Sequence, residues 1–475
     1  MPSTLRNVLF WIHLVSGLIV GLVVGVMSFT GVAIAFESQI VDWADRDARH
    51  ARPPPAGTPR LSLEDMIAKV KAARPGAQVS AVTVYPEADS VVAVATGRGS
   101  AVYVHPFTGE VRDQGAQGWR AFFSKMEDAH RWLAAPGEQR AMGKAVTGVS
   151  NLAFFFLGVT GLFLWWPRKS TLRSMRPTLW FRRGLKGKAR DFNWHNVIGF
   201  WSLPVLLVLT ASGVVISYRW ASNLVFTLTG SPVPAAQGPN ASAPVPVPTP
   251  APGTAPQGLD AQFAVAMKQA KAWENITLRL PTPPGGERQG GRPEGGAPQQ
   301  GQGGPRGEGR PEGQGGPQGE GRPEGQGGPR AEARPDGQGG PRGEGRPEGR
   351  GGPGGAGRGG PQASTFVVRE QERWPLFAST QLSLDPYTAQ PLRTETYADF
   401  NSGRKVRTWL RFLHTGEALG WPGQLIAALA SFGAVFLVYT GYSLSWRRFF
   451  PRRQARPVAP SVATPEAPES KTHAA

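Results

Sequence analysis

Four long apolar segments divide the chain, and polar stretches separate them. The segments cover roughly residues 9–36, 146–166, 196–218 and 422–446. Each contains about 20 or more mostly apolar residues, which is the length that a helix needs to cross the hydrocarbon core of a bilayer. The pattern therefore predicts four transmembrane helices.

The basic residues predict how these helices are oriented. Nine Lys and Arg fall within residues 168–190 without one acid, and five Arg fall in "RRFFPRRQAR" near the C-terminus. Each cluster directly follows an apolar segment, so the positive-inside rule places both clusters in the cytoplasm. The N-terminus is then also inside, and residues 37–145 and 219–421 face outward. This placement of the charge accounts for the net charge of +18 without a nucleic-acid partner.

An alternative interpretation of the first apolar segment is a cleaved signal peptide. "AIA" at residues 33–35 resembles a small-residue cleavage site. The hydrophobic region of a signal peptide is about 7 to 15 residues long, however, and this segment is far longer. The sequence favours a retained helix.

The two outward stretches change to short helical and alternating patterns. In the first, "LSLEDMIAKVKAA" has helical spacing, while "AVTVYPE", "SVVAVATG" and "AVYVHPFTGEV" alternate as strands. In the second, "LDAQFAVAMKQAKA" is typical of a helix, and "STFVVRE", "LFAST" and "QLSLDPYTAQPL" are typical of strands. We expect two small helix-plus-hairpin modules, one in each stretch.

The predicted organisation has eight parts. They are residues 1–36 (helix), 37–145 (outer module), 146–166 (helix), 167–192 (basic loop), 193–218 (helix), 219–421 (second outer module), 422–446 (helix) and 447–475 (disordered cytoplasmic tail).

A repetitive insert interrupts the second outer module at about residues 284–361. A 12-residue repeat such as "GRPEGQGGPQGE" fills much of it, and the segment is rich in Gly and Pro with almost no apolar side chains. Such a composition cannot bury enough surface to offset the entropy of ordering, so we expect disorder. The glycines do not recur at every third position, which excludes collagen. A tether or cell-wall contact is one interpretation, and neutral expansion in a tolerant loop is the favoured one.

The first and third apolar segments share a histidine motif. "FWIHLVSG" carries His13 and "FNWHNVIG" carries His195. Each histidine is followed 18 residues later by a glycine, Gly31 in "SFTGVAI" and Gly213 in "TASGVVI". Two unrelated helices would rarely agree over that distance, so the chain is predicted to be a duplicated unit of helix, module and helix.

A second pair of histidines precedes the other two helices, His130 in "EDAHRWL" and His414 in "LRFLHTGEALG". The predicted topology places His13 and His195 near the cytoplasmic ends of their helices, and His130 and His414 just beyond the outer ends. Opposed neutral imidazoles in a four-helix bundle are the usual axial ligands of b-type haem. That cofactor needs no cysteine, and the chain has none. A lone membrane histidine more often forms a helix–helix hydrogen bond, but four in matched contexts favour haem.

Other side chains near the histidines have two interpretations each. Three arginines are candidates to bind haem propionates, or else lipid headgroups or surface water: Arg131, Arg407 and Arg411. Gly17, Gly21 and Gly25 follow His13 at four-residue spacing. They form either a groove for a flat macrocycle or a helix packing seam. We assign no role to His50, His105 and His473.

The histidine motifs resemble those of a known family. "FWIHLVSGL", "AHRWL", "TGLFLWWPR", "NWHNVIGFW", "LHTGE" and "VYVHPFTGEV" are similar to motifs of the PepSY-associated transmembrane helix proteins. These include iron-uptake membrane proteins and ferric-siderophore reductases of the bacterial inner membrane. The resemblance covers nearly the whole chain except the repeat insert and the C-terminal tail.

The resemblance implies a fold and a function. The fold is an all-α four-helix transmembrane bundle, with small α+β PepSY-like modules outside the cytoplasm. Two b haems relay electrons across the membrane to reduce a periplasmic ferric siderophore or other ferric chelate. His13, His130, His195 and His414 stand at the motif positions of the family. The partners are then the ferric chelate, an electron donor and membrane lipids, and no nucleic acid.

Two other classes of function are weighed against this one. The outer modules could bind a peptide, a protease or the cell wall, with the helices as a mere anchor, but an anchor has no use for histidines at matching depths. A transporter is a weaker alternative, because the two repeats have the same topology rather than an inverted one.

Overall fold

A computed structural model describes residues 3–51, 57–97, 100–166, 171–234, 245–269, 272–280 and 361–450. The predicted disordered insert, apart from residue 361, and the predicted tail from residue 451 lie outside these residues. The helices in chain order are α1 (Ser3–Ile34), α2 (Glu37–Arg49), α3 (Leu63–Ala73), α4 (Gln117–Trp132), α5 (Arg140–Trp165), α6 (Leu172–Leu179), α7 (Gly187–Ser217), α8 (Arg219–Leu228), α9 (Leu259–Lys268), α10 (Ser402–Thr415) and α11 (Gly420–Phe449). The strands are β1 (Ala81–Val84), β2 (Val92–Ala95), β3 (Ala101–Val104), β4 (Val111–Asp113), β5 (Trp273–Arg279), β6 (Ser364–Glu370), β7 (Thr380–Leu384) and β8 (Pro391–Glu395).

Four helices in the described part of the chain are long and apolar enough to cross a membrane, namely α1, α5, α7 and α11 with their short continuations. They coincide with the four predicted segments. Helix α5 begins at Arg140 and α7 at Gly187, several residues before the apolar runs that predicted them. Hydropathy marks only the part of a helix that suits lipid, whereas the backbone hydrogen bonds continue into polar turns.

The four long helices form a bundle in which α1 and α7 lie on one diagonal. Both α1 and α7 pack along α5 and along α11. Polar contacts join neighbouring helices: Asn151 Nδ2 on α5 donates to the Thr210 carbonyl on α7 at 2.9 Å. Likewise, the Tyr442 hydroxyl on α11 donates to the Leu18 carbonyl on α1 at 2.9 Å. Residues on α1 and α7 can therefore face each other across the interior of the bundle.

The eight strands in the described part of the chain form one antiparallel sheet with the order β4-β3-β2-β1-β5-β6-β7-β8. The strands of the two outward stretches share this sheet, because β1 pairs directly with β5 and joins the two halves. The hydroxyl oxygens of Thr83 and Thr277 meet at 2.9 Å on this central pair. Strand β5, with the sequence "WENITLR", has no counterpart in the sequence prediction.

The strand predicted at "LFAST" is wrong, since β7 begins only at its last residue, Thr380. The apolar residues of this stretch pack against α10 and the start of α11 instead of continuing the sheet. Phe377 stacks on Phe412 of α10, with ring centroids 4.3 Å apart. Leu376 lies beside Gly420 at the start of α11.

Helices α3 and α9 cover one face of the sheet. Their apolar sides form a continuous core with both halves of the sheet, including Met66 and Val70 from α3, Phe263 from α9, and Val82 and Phe366 from the strands. The N-terminus of α3 is capped by the Ser62 side chain, which accepts from the Asp65 backbone N–H.

A buried carboxylate connects the sheet to the membrane helices. Asp45 on α2 is fully buried and accepts hydrogen bonds from the Tyr103 hydroxyl on β3 and from Arg120 on α4, each at 2.5 Å. Because α2 directly follows α1, this contact fixes the sheet and α4 at one end of the bundle. We call this the sheet end.

Candidate functional site

Two of the predicted histidines face each other at the sheet end. His130 lies on α4 and His414 on α10, and their ring centroids are 6.4 Å apart with the planes inclined at 63°. Burial, and then the neighbouring His414, lower the pKa of His130 to about 4. Burial also lowers the pKa of His414. Both imidazoles are therefore neutral at physiological pH, which is the form that coordinates metals.

Each ring at the sheet end is held at Nδ1 by a hydroxyl and a carbonyl of a membrane helix. His130 lies next to α1 and His414 next to α7. Nδ1 of His130 lies 2.9 Å from the Met27 carbonyl and 3.1 Å from the Thr30 hydroxyl. Nδ1 of His414 lies 2.9 Å from the Leu209 carbonyl and 3.1 Å from the Ser212 hydroxyl.

The other two histidines lie at the opposite end of the bundle. Nδ1 of His13 on α1 is 3.0 Å from the Thr160 hydroxyl on α5. Nδ1 of His195 on α7 is 2.9 Å from the Thr440 hydroxyl on α11. His13 and His195 stand on the two diagonal helices and are close enough to interact electrostatically.

The hydrogen-bond network assigns the same tautomer to all four imidazoles. Each of the four hydroxyls, which belong to Thr30, Thr160, Ser212 and Thr440, donates its proton to a carbonyl one turn earlier on its own helix, at 2.6–2.9 Å. A hydroxyl has a single proton, so its oxygen must accept from the histidine Nδ1–H. The lone pair of each ring then resides on Nε2, as in histidines that coordinate a metal through Nε2 and are oriented through Nδ1.

A glycine follows each of these hydroxyl residues in the sequence. A Cβ added at Gly31, Gly161 or Gly441 would lie 3.4–3.8 Å from Cε1 of the histidine held by the preceding residue. At Gly213 the added Cβ would instead meet Asn151 at 2.8 Å. These hydroxyls were not predicted from the sequence, although a Thr-Gly or Ser-Gly dipeptide occurs in all four long helices, at Thr30, Thr160, Ser212 and Thr440.

The two histidine pairs are separated along the bundle axis. Thr30, which holds His130, follows His13 by 17 residues on α1, and Ser212 follows His195 by 17 residues on α7. At 1.5 Å per residue, both helices place the two levels about 26 Å apart. That separation is close to the thickness of a hydrocarbon core of about 30 Å.

Cationic side chains accompany the histidines at the sheet end. Arg407 and His414 are seven residues apart and share one face of α10. Arg407 is only 8 % exposed, its Nε donates to the Ser222 hydroxyl at 3.2 Å, and its buried Nη1 has no hydrogen-bond partner among the described residues. Burial and the neighbouring Arg411 lower the pKa of Arg407 to about 10. Arg131 is adjacent to His130, and its charge acts on that imidazole.

These residues fit a haem better than a single bound metal ion. No group of three or more His, Cys, Asp or Glu in the described residues could hold an ion, but a macrocycle supplies four ligands itself and requires only two from the protein. His130 and His414, whose ring centroids are 6.4 Å apart, are a candidate pair of such ligands. The buried Arg407 also matches an anionic propionate.

The glycine row below His13 is a packing seam. A Cβ at Gly21 would lie 2.9 Å from the ring of Tyr442, and one at Gly25 would lie 3.5 Å from Val438, both on α11. Side chains of α11 therefore occupy this groove, and of the two interpretations of the glycine row the structure supports helix packing.

Two other described histidines have local roles in the outer part. His105 Nδ1 accepts the backbone N–H groups of Phe107 and Thr108, each at 3.2 Å, in the turn before β4. His50 Nδ1 lies 3.0 Å from an Asp89 carboxylate oxygen at the surface.

Comparison with known proteins gives a family for this arrangement. The family model of the PepSY-associated TM region matches residues 10–448, nearly the whole chain. No curated protein matches the sequence significantly. The match includes the four long helices, the four histidines and the sheet, and the chain is therefore a membrane protein that belongs to the PepSY-associated TM region family.

Proposed function

We propose that this protein is a di-haem b protein of the bacterial inner membrane, which passes electrons across the membrane to reduce a ferric siderophore or other ferric chelate. The observation that carries the proposal is the repeated support of four histidines. Each Nδ1 is held by a hydroxyl whose own proton is already donated to a carbonyl. Four such arrangements on two levels are difficult to explain as simple helix packing.

The proposal includes a duplicated unit of helix, PepSY-like module and helix. In it, α1 and α5 flank the first half of the sheet, and α7 and α11 flank the second. The basic residues at the end opposite the sheet support an orientation with both termini in the cytoplasm and the sheet in the periplasm.

Each level has its own set of proposed ligands. His13 and His195 would ligate the cytoplasmic haem, and His130 and His414 the periplasmic one. Bound haem would supply reversible one-electron chemistry. The chain contributes axial imidazoles of fixed tautomer, hydroxyls that orient them, and Arg131, Arg407 and Arg411 to neutralise propionates. No general acid or base is required.

The periplasmic substrate is a ferric chelate that meets the protein on the sheet side. Reduction favours release of the iron, because ferrous iron is held less tightly than ferric iron by hard oxygen ligands. The electron donor would act at the opposite end of the bundle, near His13 and His195.

The visible spectrum of the purified full-length protein tests this function. After expression with ample haem, we expect a Soret band, sharp reduced α and β bands, and about two haems per chain. His195→Ala should remove the cytoplasmic haem and His414→Ala the periplasmic one. His50→Ala is the matched control, since it removes a histidine that also bonds through Nδ1 but lies outside both pairs.

A colourless protein that is folded and monodisperse would contradict the proposal. It would favour the alternative of a membrane-anchored PepSY protein that binds a peptide, a protease or the cell wall. Loss of neither haem in His195→Ala would contradict the assignment of ligands to levels.

A further inference from the structure

We propose that the turn between α6 and α7 is a binding site for the phosphate headgroup of an anionic membrane phospholipid. A cavity of about 680 Å³ lies at this turn, at the end of the bundle opposite the sheet. Four arginines and two aromatic residues line it: Arg173, Arg176, Arg182, Arg183, Trp180 and Phe181. This site is separate from both histidine pairs and does not depend on the proposed redox function.

The cavity has a concentrated positive charge with no carboxylate of its own. No acidic residue occurs between residues 168 and 190, and within the described part none of the four arginines forms an ion pair. The next acid along the chain, Asp191, is buried and already accepts from Arg190 at 2.9 Å and Ser443 at 2.7 Å. Guanidinium groups gathered in this way repel one another unless an anion lies between them. Phosphate is the anion whose geometry suits several guanidiniums at once.

The turn that carries the arginines is fixed to α7. Asn193 is 5 % exposed, and its Oδ1 accepts the Arg182 backbone N–H at 3.0 Å. Its Nδ2 donates to the carbonyls of Pro177 and Trp180 at 2.6 and 3.2 Å. One buried side chain therefore bonds to three points of the turn. The arginines are gathered on a rigid support, so an incoming anion does not have to order the backbone.

The surroundings favour a lipid over a soluble phosphate. From the cavity, an aromatic strip runs along α7: Phe181 contacts Trp194, with centroids 6.5 Å apart. Trp201, seven residues further on the same face, is 61 % exposed and donates to the Leu179 carbonyl at 3.0 Å. This strip extends about 10 Å from the cavity toward the middle of a membrane-spanning helix. Acyl chains would lie along it while the headgroup contacts the arginines.

Lipid retention by the full-length protein in detergent tests the site. Cardiolipin, phosphatidylglycerol and phosphatidylcholine would each be added, and the lipid that remains bound would be measured by native mass spectrometry. We expect cardiolipin, with two phosphates, to be retained most and phosphatidylcholine least. The double variant Arg176→Gln/Arg182→Gln should lower cardiolipin retention by about tenfold or more. The control Lys186→Gln/Lys188→Gln removes two charges from the same loop outside the cavity, and should lower it by less than about twofold.

Two results would overturn the proposal. Equal losses in the two double variants would mean a diffuse charge effect without a site. Displacement of cardiolipin by inorganic phosphate, but not by chloride at equal ionic strength, would identify a soluble phosphate site in place of a lipid site. Thermal unfolding of each variant excludes misfolding as the cause. Because lipid retention is read without reference to haem, failure here leaves the proposed function intact, and failure of the proposed function leaves this site intact.

Discussion

Replacing Gly143 with alanine should disturb the sheet end of the bundle in a measurable way. Gly143 lies in the first turns of α5, directly against the end of α4. A Cβ at this position would lie 2.1 Å from the Trp132 carbonyl oxygen and 2.8 Å from its carbonyl carbon. Both atoms belong to the backbone, so no side-chain rotation can relieve the contact.

The distance gives the size of the required movement. An ordinary van der Waals contact begins at 3.4 Å, so the end of α4 would have to withdraw from α5 by about 1.3 Å. The Thr147 hydroxyl, which lies 3.0 Å from the Arg131 carbonyl, would lose that contact. Overpacking of this kind costs about 1–3 kcal/mol. We therefore expect a lower midpoint of thermal unfolding in detergent.

Gly118→Ala, in the first turn of the neighbouring helix α4, is the matched control. An added Cβ at Gly118 meets nothing within 4 Å. Alanine is favoured over glycine in a helix by up to about 1 kcal/mol, so the control should be neutral or slightly stabilised.

The same shift has a consequence for the proposed periplasmic haem. His130 stands two residues before Trp132 and would move away from His414 with the end of α4. Gly143→Ala should then lose the periplasmic haem and keep the cytoplasmic one, as measured by the haem-to-protein ratio and by redox titration. If Gly143→Ala unfolds at the wild-type temperature, the close approach of the two helices is not a constraint. If it unfolds earlier but binds both haems, the coupling of this contact to the histidine pair is refuted.

Two further variants test other contacts. Asp45→Asn removes the buried charge that neutralises Arg120 and should cost about 3 kcal/mol of stability in thermal unfolding. The control is Asp47→Asn: the Asp47 side chain is 95 % exposed, so this variant should change the stability by less than about 0.5 kcal/mol. Comparable effects of the two would show that the link between α2 and the sheet contributes little. Thr440→Val removes the oxygen that orients His195 and should weaken haem binding at that level by about 10- to 100-fold in a haem titration. Thr227→Val removes a similar hydroxyl–carbonyl bond on the surface of α8 and should leave haem binding unchanged; equal affinity in the two valine variants would contradict the orienting role.

The four membrane helices could be predicted from the sequence, whereas the joined sheet could not. A span must be apolar over its whole length because lipid offers no hydrogen bonds, so hydropathy alone identifies it. Strand β5 is half polar, and along the chain the repeat insert separates it from its neighbour β6. Its pairing with β1 depends on contacts between distant parts of the chain, which local alternation does not specify.

The four histidines could be predicted from their equal spacing in the sequence, whereas the hydroxyls that bond to them could not be predicted. Equal spacing in two copies shows that a residue is kept at a given depth, so matched histidines stand out in an apolar helix. A Thr or Ser in the same helix usually bonds to the carbonyl one turn earlier and needs no other explanation. Here the hydroxyls make that bond as well, and only the three-dimensional contact shows that their oxygens also accept from imidazoles.

Two contacts of each histidine differ in which proposed half of the chain supplies the partner: the bond to a hydroxyl, and the approach of a second imidazole. Each histidine is oriented by a hydroxyl of its own half: His13 by Thr160, and His195 by Thr440. The imidazole that faces each histidine comes from the other half. In the proposed duplicated unit, the orientation of each imidazole is therefore encoded within one copy, and a complete pair of the proposed ligands would form only where the two copies meet. On the proposed function, this division accounts for a hydroxyl and a histidine in all four motifs, because the loss of either one would leave the proposed site at that level defective.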